Sequence, residues 1–339
     1  MNKTNTIGID LAKNVFHLCT QDSNGHILSR LKLGRSQLKH FLATTAQSRI
    51  VFESCATAHY WSRIAESHGH QVALIHPGYV KAYVKTNKND FNDAEAICEA
   101  DSRPTMRYVN SKTINQQDIQ LLHRIRQRQV QQRTALVNQI RGHLLEYGIT
   151  IPQGVSRVRH QLSGILEDAE NELSCQARVL FRELQLELYD LDDRIQQADR
   201  KIKRLATQDL VCQRLMAIPG IGPMIATALV STVGNANHFK NGRELSAWLG
   251  LVPRQYSTGG KQRLLGISKR GDCYLRSLLV QGAISAITRS KNRSDNQLTW
   301  ARQLKVNKGL KKAAVALSNK TARIIWSVMA KDHDYVVQQ

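Results

Sequence analysis

Nine apolar residues recur at alternating spacings of four and three, and this seam restricts the fold more than any other pattern in the sequence. They are Ala177, Phe181, Leu184, Leu188, Leu191, Ile195, Ala198, Ile202 and Leu205. Such spacing keeps side chains on one stripe of an α-helix, as in a coiled coil. The length and regularity of the seam favour a coiled coil over one buried face of a helical bundle. We predict an antiparallel helical hairpin or a dimerisation element, with another long helix at 116–147.

The first hundred residues follow a different pattern, in which strand and helix signals alternate. Strands are predicted at Thr6–Leu11, Val15–Thr20, His26–Leu33, Arg49–Glu53 and Gln71–Ile75, and helices at Ser36–Thr45, Tyr60–His68 and Asp93–Ala100. Three early strands followed by alternating helix and strand indicate an α/β fold with a mixed sheet. From Leu215 onwards the pattern is one of short helices and basic loops. With boundaries near Pro104 and Thr207, the predicted domains are 1–104, 105–206 and 207–339.

The net charge of the chain indicates a polyanionic partner. It is +21 over 339 residues, and 20 of the 48 Lys and Arg but only 6 of the 27 Asp and Glu follow residue 205. Nucleic acid is the commonest such partner. A membrane is not expected, because the sequence has no transmembrane-length apolar run and no lipidation motif. The six cysteines have no short pairing and no signal region precedes them, so we expect a reduced, cytoplasmic protein.

Four carboxylates lie at strand and helix ends in the first domain. Asp10 follows the apolar Ile7-Gly8-Ile9, Glu53 ends a buried strand, and Asp90 and Asp93 are three residues apart at a predicted helix start. A carboxylate among buried apolar residues needs a partner or a cation. Each residue alone could be a turn, salt-bridge or capping residue, but together they predict a metal site. Two Mg²⁺ ions about 3.5–4 Å apart are the usual arrangement for phosphoryl transfer.

Two glycine-containing segments of the C-terminal part are candidates for contact with phosphate. Gly220 and Gly222, between two apolar helices, resemble a helix-hairpin-helix whose backbone can approach a phosphate closely; a plain pair of core helices is the alternative. Ser257 and Thr258 precede Gly259-Gly260, within a set of cations: Arg254, Lys261, Arg263, Lys269 and Arg270. Taken alone, such a run is typical of a flexible loop. Further cations at helical spacing are Lys305, Lys308, Lys311 and Lys312, followed by Lys320 and Arg323.

The motifs together resemble a known family. IGIDLAKN, FES and NKNDFNDAEA, followed by the C-terminal motifs in order, are similar to the DEDD transposases of the Piv invertase and insertion-sequence 110 family, in its 1111-like branch. The resemblance implies a RuvC-like ribonuclease-H fold whose metal tetrad is Asp10, Glu53, Asp90 and Asp93. It also implies a mostly helical transposase domain with a serine nucleophile. Ser257 is preferred because its primary alcohol is less hindered, and Thr258, directly before the glycine, stays open.

The resemblance further implies site-specific strand exchange for an insertion sequence. Donor and target DNA would pair with a structured guide RNA encoded by the element, and the protein would assemble as a dimer or as dimers of dimers. Two other functions fit the residues. One is a hydrolytic RuvC-like junction nuclease that uses the tetrad alone, and the other is a DNA-binding protein without catalysis.

Overall fold

The computed structural model describes residues 5–85, 89–289 and 295–336. The chain divides into two compact units, Met1–Ile114 and Asn115–Gln339. The first break lies ten residues after the predicted boundary near Pro104, and residues on both sides of Thr207 belong to one unit. The division into three domains therefore stays a prediction.

The first unit is built on a six-stranded mixed sheet in the order β3-β2-β1-β4-β5-β6. The strands are β1 Thr6–Leu11, β2 Val15–Gln21, β3 Ile27–Gly34, β4 Arg49–Glu53, β5 Gln71–Ile75 and β6 Tyr108–Val109. β1 and β2 form an antiparallel hairpin, whereas β1–β4 and β4–β5 are parallel pairs. The predicted mixed α/β sheet is thus confirmed, and three of the five predicted strands have the predicted bounds.

Helices pack on this sheet. They are α1 Arg35–Thr44, α2 Ala58–Ser67, the short α3 Pro77–Val80 and α4 Asp90–Asp101. The main core of the unit lies between the sheet and α1 and α2, where Phe16 and Trp61 meet edge to face with ring centroids 5.0 Å apart. Fully buried aromatic and aliphatic side chains of this size are the chief source of stability in such a core. α4 contacts β1 and β2.

The second unit is mostly helical. Its helices are α5 Ile114–Leu145, α6 Val155–Glu167, α7 Cys175–Gln208, α8 Leu210–Met216, α9 Pro223–Val233, α10 Gly242–Trp248, α11 Cys273–Arg289, α12 Asn296–Lys308 and α13 Leu310–Lys331. In the part of the chain that the structure describes, no helix combines the length and the apolar character needed to cross a membrane.

The apolar seam is buried within the chain. Seven of its nine residues are buried and the other two, Leu184 and Leu205, are half-buried. They lie on α7, which runs antiparallel to α5, because Arg126 pairs with Asp199 and Arg133 with Asp192. Of the two predicted arrangements, the structure therefore contains the antiparallel helical hairpin.

The segment predicted as a basic loop around Ser257 is a β-hairpin, which corrects the sequence interpretation. Strands β7 Pro253–Thr258 and β8 Lys261–Ile267 pair antiparallel across Gly259-Gly260. Both glycines have positive φ, at +55° and +77°, as the favoured two-residue hairpin turns require. Neither strand has a buried face. The sequence therefore lacks the alternation of apolar and polar residues by which a half-buried strand is predicted.

The cations near residue 310, which lie at helical spacing in the sequence, belong to two helices. Gly309, with φ at +83°, separates α12 from α13. Lys305 and Lys308 therefore end one helix, while Lys311 and Lys312 begin the next. All four are exposed.

Candidate active site

Two of the predicted carboxylates lie on neighbouring parallel strands of the mixed sheet. Asp10 is near the end of β1 and Glu53 is the last residue of β4. The register pairs Ile9 with Phe52, so Asp10 and Glu53 follow at adjacent positions on the same face of the sheet. Both residues are partly exposed, whereas the apolar residues before them are buried. The strand ends thus carry the carboxylates from the core towards the surface.

The other two carboxylates lie in the first turn of α4. The Asn89 side chain caps this helix by accepting a hydrogen bond from Phe91 N at 3.0 Å. Asp90 and Asp93 follow it, and anionic side chains are favoured there by the helix dipole. Asn87 and Lys88 of the sequence motif lie outside the described residues.

Gly8 lets α4 approach β1. A Cβ atom at Gly8 would lie 2.5 Å from the carbonyl oxygen of Ala94 and 2.6 Å from the sulfur of Cys98. Gly8 and Asp10 are two residues apart on one strand, so they share a sheet face. The close approach at Gly8 therefore brings the start of α4 over Asp10.

Three of the four carboxylates converge. Asp10, Asp90 and Asp93 each offer an oxygen, and these three oxygens lie within 4.8 Å of one another. Glu53 is not in this tight set, although its charge acts on Asp10. The pKa of Asp10 is raised from 3.8 to about 6, first by burial and then by the charges of Asp93, Asp90 and Glu53. Burial and the charge of Asp93 also raise the pKa of Glu53. Oxygen ligands whose charges repel one another in this way suit a divalent cation.

His17 is a residue of this site that the sequence interpretation did not include. It is buried on β2, directly opposite Asp10 in the strand pair, and its Nδ1 atom lies 3.5 Å from Oδ2 of Asp90. Its ring meets that of Phe91 edge to face at 4.8 Å. A His between apolar residues of a strand does not by itself indicate a functional site. The residues that it faces on the next strand depend on the strand register, which the sequence does not give directly. The available clue was the short connection between the predicted strands Thr6–Leu11 and Val15–Thr20, which favours a hairpin and so places residues of the two strands side by side.

The two candidate nucleophiles of the second unit lie on opposite faces of the β7–β8 hairpin. Cross-strand partners share a face, and the pairs are Tyr256–Arg263, Ser257–Gln262, Thr258–Lys261 and Gln255–Leu264. We call one face the charged face, and it consists of Tyr256, Thr258, Lys261 and Arg263. We call the other the uncharged face, and it consists of Gln255, Ser257, Gln262 and Leu264. The amide of Gln255 donates to the Ser257 hydroxyl at 2.9 Å, as expected for neighbours on one face.

The remaining predicted cations surround this hairpin in sequence. Arg254 is exposed near a register irregularity between Pro253 and Gln255, so we assign it to neither face. Lys269 and Arg270 are exposed on the following turn, where the amide of Lys269 donates to the carbonyl of Gly250 at 3.1 Å.

The two glycines of the helix-hairpin-helix-like motif have different surroundings. Gly220, with φ at +88°, lies against the backbone of α11, where an added Cβ would be 2.7 Å from the carbonyl oxygen of Gly282. Gly222 precedes α9 as its N-cap and has open space around its Cα. Gly220 thus allows the turn before α9 to pack against α11, and the open space is at Gly222.

Comparison with known proteins shows which proteins this chain is related to. A family model of DEDD transposases of the IS110 type, described as "Transposase", matches residues 7–149, and one described as "Transposase IS116/IS110/IS902 family" matches residues 212–299. The transposase for insertion sequence element IS1111A of Coxiella burnetii is 41% identical, over 99% of this chain and 92% of the relative. The transposase for IS1328 of Yersinia enterocolitica is 42% identical, over 97% of each. The chain belongs to the IS110/IS116 transposase family.

As a member of that family, this transposase is a DNA-acting recombinase enzyme. A more distant relative, the pilin gene-inverting protein of Moraxella bovis, is 26% identical over 84% of this chain and 83% of its own length. The first family model spans the four carboxylates, and the second spans the two glycines and the β7–β8 hairpin. The predicted resemblance is thereby confirmed.

Proposed function

We propose that this transposase exchanges DNA strands for an insertion sequence, using the carboxylate site of the first unit and a hydroxyl of the β7–β8 hairpin. The convergence of Asp10, Asp90 and Asp93 carries the proposal, because three carboxylate oxygens within 4.8 Å of one another repel, and a divalent cation between them would offset that repulsion. The sheet with α4 also suits the ribonuclease-H-like, RuvC-like fold expected from the resemblance. Within the second unit, the helices and the hairpin would form the transposase domain.

The donor set suits Mg²⁺, which prefers carboxylate oxygens and retains several waters. When bound, one or two such ions would neutralise charge on the attacking and leaving oxygens of the phosphate. Asp10, Asp90 and Asp93 would supply the first ligands, and Glu53 would complete the set from the neighbouring strand. His17, which lies opposite Asp10 on β2 and 3.5 Å from Oδ2 of Asp90, would help to position Asp90.

The nucleophile is proposed to be Ser257. Its oxygen would form a bond to phosphorus as the bond from phosphorus to a sugar oxygen breaks, and the hydroxyl proton of the serine would end on that leaving sugar oxygen. The Gln255 amide donates to Ser257 Oγ, which leaves the hydroxyl proton free for transfer. Thr258 is the second candidate, because it shares the charged face with Lys261 and Arg263, and cations stabilise charge on a transferring phosphoryl group.

The partners and location are proposed from the resemblance and the charge. The net charge of +21 suits donor and target DNA and equally a structured guide RNA. If the purified protein carries an RNA of defined sequence, the guide-RNA proposal is supported. If active protein contains no such RNA, the guide-RNA proposal is contradicted. A homo-oligomer in the cytoplasm, where the DNA is accessible, completes the proposal.

Mapping of covalent protein–DNA adducts tests the nucleophile. We expect Ser257→Ala to eliminate adducts on denaturing gels and Thr258→Ser to retain them, since only the attacking oxygen is lost in the first variant. Peptide mapping of the linked residue decides between the hydroxyls. An adduct at Thr258 would reassign the nucleophile, and active protein without any adduct would favour the hydrolytic junction nuclease.

Substitution of single carboxylates tests the metal site. Asp10→Asn and Asp93→Asn should each abolish strand exchange and leave DNA binding nearly intact, because only cation binding is lost. Glu99→Gln is the matched control, since Glu99 lies on the same helix and pairs with Arg103 at 2.6 Å instead. A chelator should reproduce the effect of the Asp variants. Wild-type exchange by either variant would remove the metal hypothesis, and binding without any metal-dependent cleavage would favour a non-catalytic DNA-binding protein.

A further inference from the structure

Of the three cations of the β7–β8 hairpin, two lie on the same face, and Arg254 is assigned to neither face. Lys261 and Arg263 both lie on the charged face, and the uncharged face has none. Residues 253–267 include no Asp or Glu. Within the described ranges, no carboxylate forms an ion pair with either cation. The positive charge of this face is therefore not neutralised by the protein.

The same hairpin is exposed on both sides. Every residue of β7 and every residue of β8 except Ile267 is exposed, including Tyr256 at 65% and Leu264 at 64%. An isolated two-stranded hairpin has little stability of its own. An exposed aromatic residue beside two free cations is typical of a surface that binds nucleic acid.

We propose that the charged face binds one phosphate backbone of duplex DNA, with the hairpin standing in the major groove. The side chains of a β-sheet give it a thickness of about 10 Å, and the major groove of B-form DNA is about 12 Å wide and admits a two-stranded ribbon. The deep, narrow major groove of duplex RNA does not admit one. The proposal rests on the proposed function only in taking DNA as the substrate.

This placement assigns different roles to the two faces. Lys261 and Arg263 contact phosphates without reading the base sequence, and they fix the position of the hairpin on the duplex. The uncharged face, with Ser257, is then turned towards the opposite backbone. The strand that is held and the strand that reacts would thus be different strands.

The test is the salt dependence of DNA binding by the full-length protein. Lys261→Gln combined with Arg263→Gln is compared with the wild type by fluorescence anisotropy on a duplex of about 30 base pairs, which spans several turns of major groove. Each phosphate contact contributes about 0.9 to the slope of log affinity against log salt, so the slope should fall by about 1.8. The affinity lost between about 50 and 200 mM salt should then shrink roughly 12-fold. An unchanged slope overturns the proposal.

Two control variants test whether the change in slope is specific to the charged face. Gln255→Ala with Gln262→Ala alters the uncharged face and should leave the slope unchanged. Lys201→Gln with Lys203→Gln removes two exposed charges from α7 and tests for a general charge effect. A fall in slope as large in this control as in the hairpin variant overturns the proposal, as does a fall seen with duplex RNA alone. Because binding is measured in a chelator, failure of the proposed chemistry would not alter the result.

Discussion

Among single residues, the candidate active site depends on the close approach of α4 to β1 and on the charges of neighbouring carboxylates. Gly8 is the clearest case of close approach, because any side chain there would meet the backbone of α4. Asp10 is the clearest case of charge, because burial and three other carboxylates act on it together. A substitution at either residue is expected to change the stability of the folded protein.

Gly8→Ala is expected to destabilise the protein by about 1–3 kcal/mol, as overpacking of a tight contact does. α4 has to move away from β1, so Asp90 and Asp93 would shift from Asp10 and strand exchange would fall as well. Urea unfolding and an exchange assay measure the two effects. Gly142→Ala is the control, since a Cβ at Gly142 meets no atom within 4 Å. Equal stability of the two variants would contradict the role of Gly8.

The raised pKa of Asp10 predicts a pH-dependent stability in metal-free protein. Well below pH 3.8 the carboxyl is protonated in both folded and unfolded chains, and it has no effect on stability. Between its ordinary pKa of 3.8 and the folded pKa of about 6, the unfolded chain ionises first. Stability therefore falls as the pH rises through this range, and the loss persists above it.

Thermal unfolding in a chelator at pH 4 and pH 7 measures this effect. Relative to the wild type, Asp10→Asn should have a Tm advantage that is small at pH 4 and larger at pH 7, because the amide carries no charge. Mg²⁺ should raise the Tm of the wild type at pH 7 and have a smaller effect on the variant. The same Tm difference between wild type and variant at both pH values would argue against the raised pKa.

At the scale of elements, α7 shows what its seam contacts. Leu188 is fully buried among residues of α5 and α6, whereas Leu186 on the same helix is 59% exposed. Asp192, also buried, binds both Arg133 and Arg159. The seam and these ion pairs hold α7 within its own chain.

Leu188→Ala is expected to cost about 2–5 kcal/mol of unfolding free energy, because it leaves a cavity in a packed core. Leu186→Ala, the matched control, should change stability by about 0.5 kcal/mol or less. Denaturant unfolding monitored by circular dichroism measures both. For the double change Leu188→Asp with Ile195→Asp, we expect loss of helical structure. A folded monomer in light scattering would instead indicate that α7 pairs between subunits.

At the scale of the whole molecule, charge is unequally divided between the two units. Residues 115–339 contain 34 of the 48 Lys and Arg and 18 of the 27 Asp and Glu, so they carry +16 of the net +21. A polyanion is attracted mainly by the unit with the larger excess of cations. The carboxylate site, by contrast, lies in the less basic unit.

A fragment of residues 115–339 is therefore expected to bind duplex DNA with most of the salt dependence of the full chain. A fragment of residues 1–114 should bind weakly, because its net charge is only +5. Anisotropy titrations at several salt concentrations measure both, with circular dichroism as the check that each fragment is folded. If the two fragments had comparable slopes of log affinity against log salt, the expectation that the more basic unit makes most of the phosphate contacts would be contradicted.

Elements with strong local signals could be predicted from the amino-acid sequence. Thr6–Leu11, Arg49–Glu53 and Gln71–Ile75 have the predicted bounds, because short apolar runs between polar residues mark buried strands. The candidate carboxylates were predicted for the same reason, since charged residues at the ends of such runs stand out. The seam on α7 was evident from its spacing alone.

Which surfaces pack against one another became evident from the three-dimensional structure. Periodicity identifies the buried side of α7, but whether another part of the chain or another subunit covers that side depends on the path of the chain. His17 joins the site because strand register places it opposite Asp10, and register is set by pairing over the whole sheet. The β7–β8 hairpin has no buried face, so no apolar alternation predicted it. Because this hairpin forms, Ser257 and Thr258 lie on opposite faces of it.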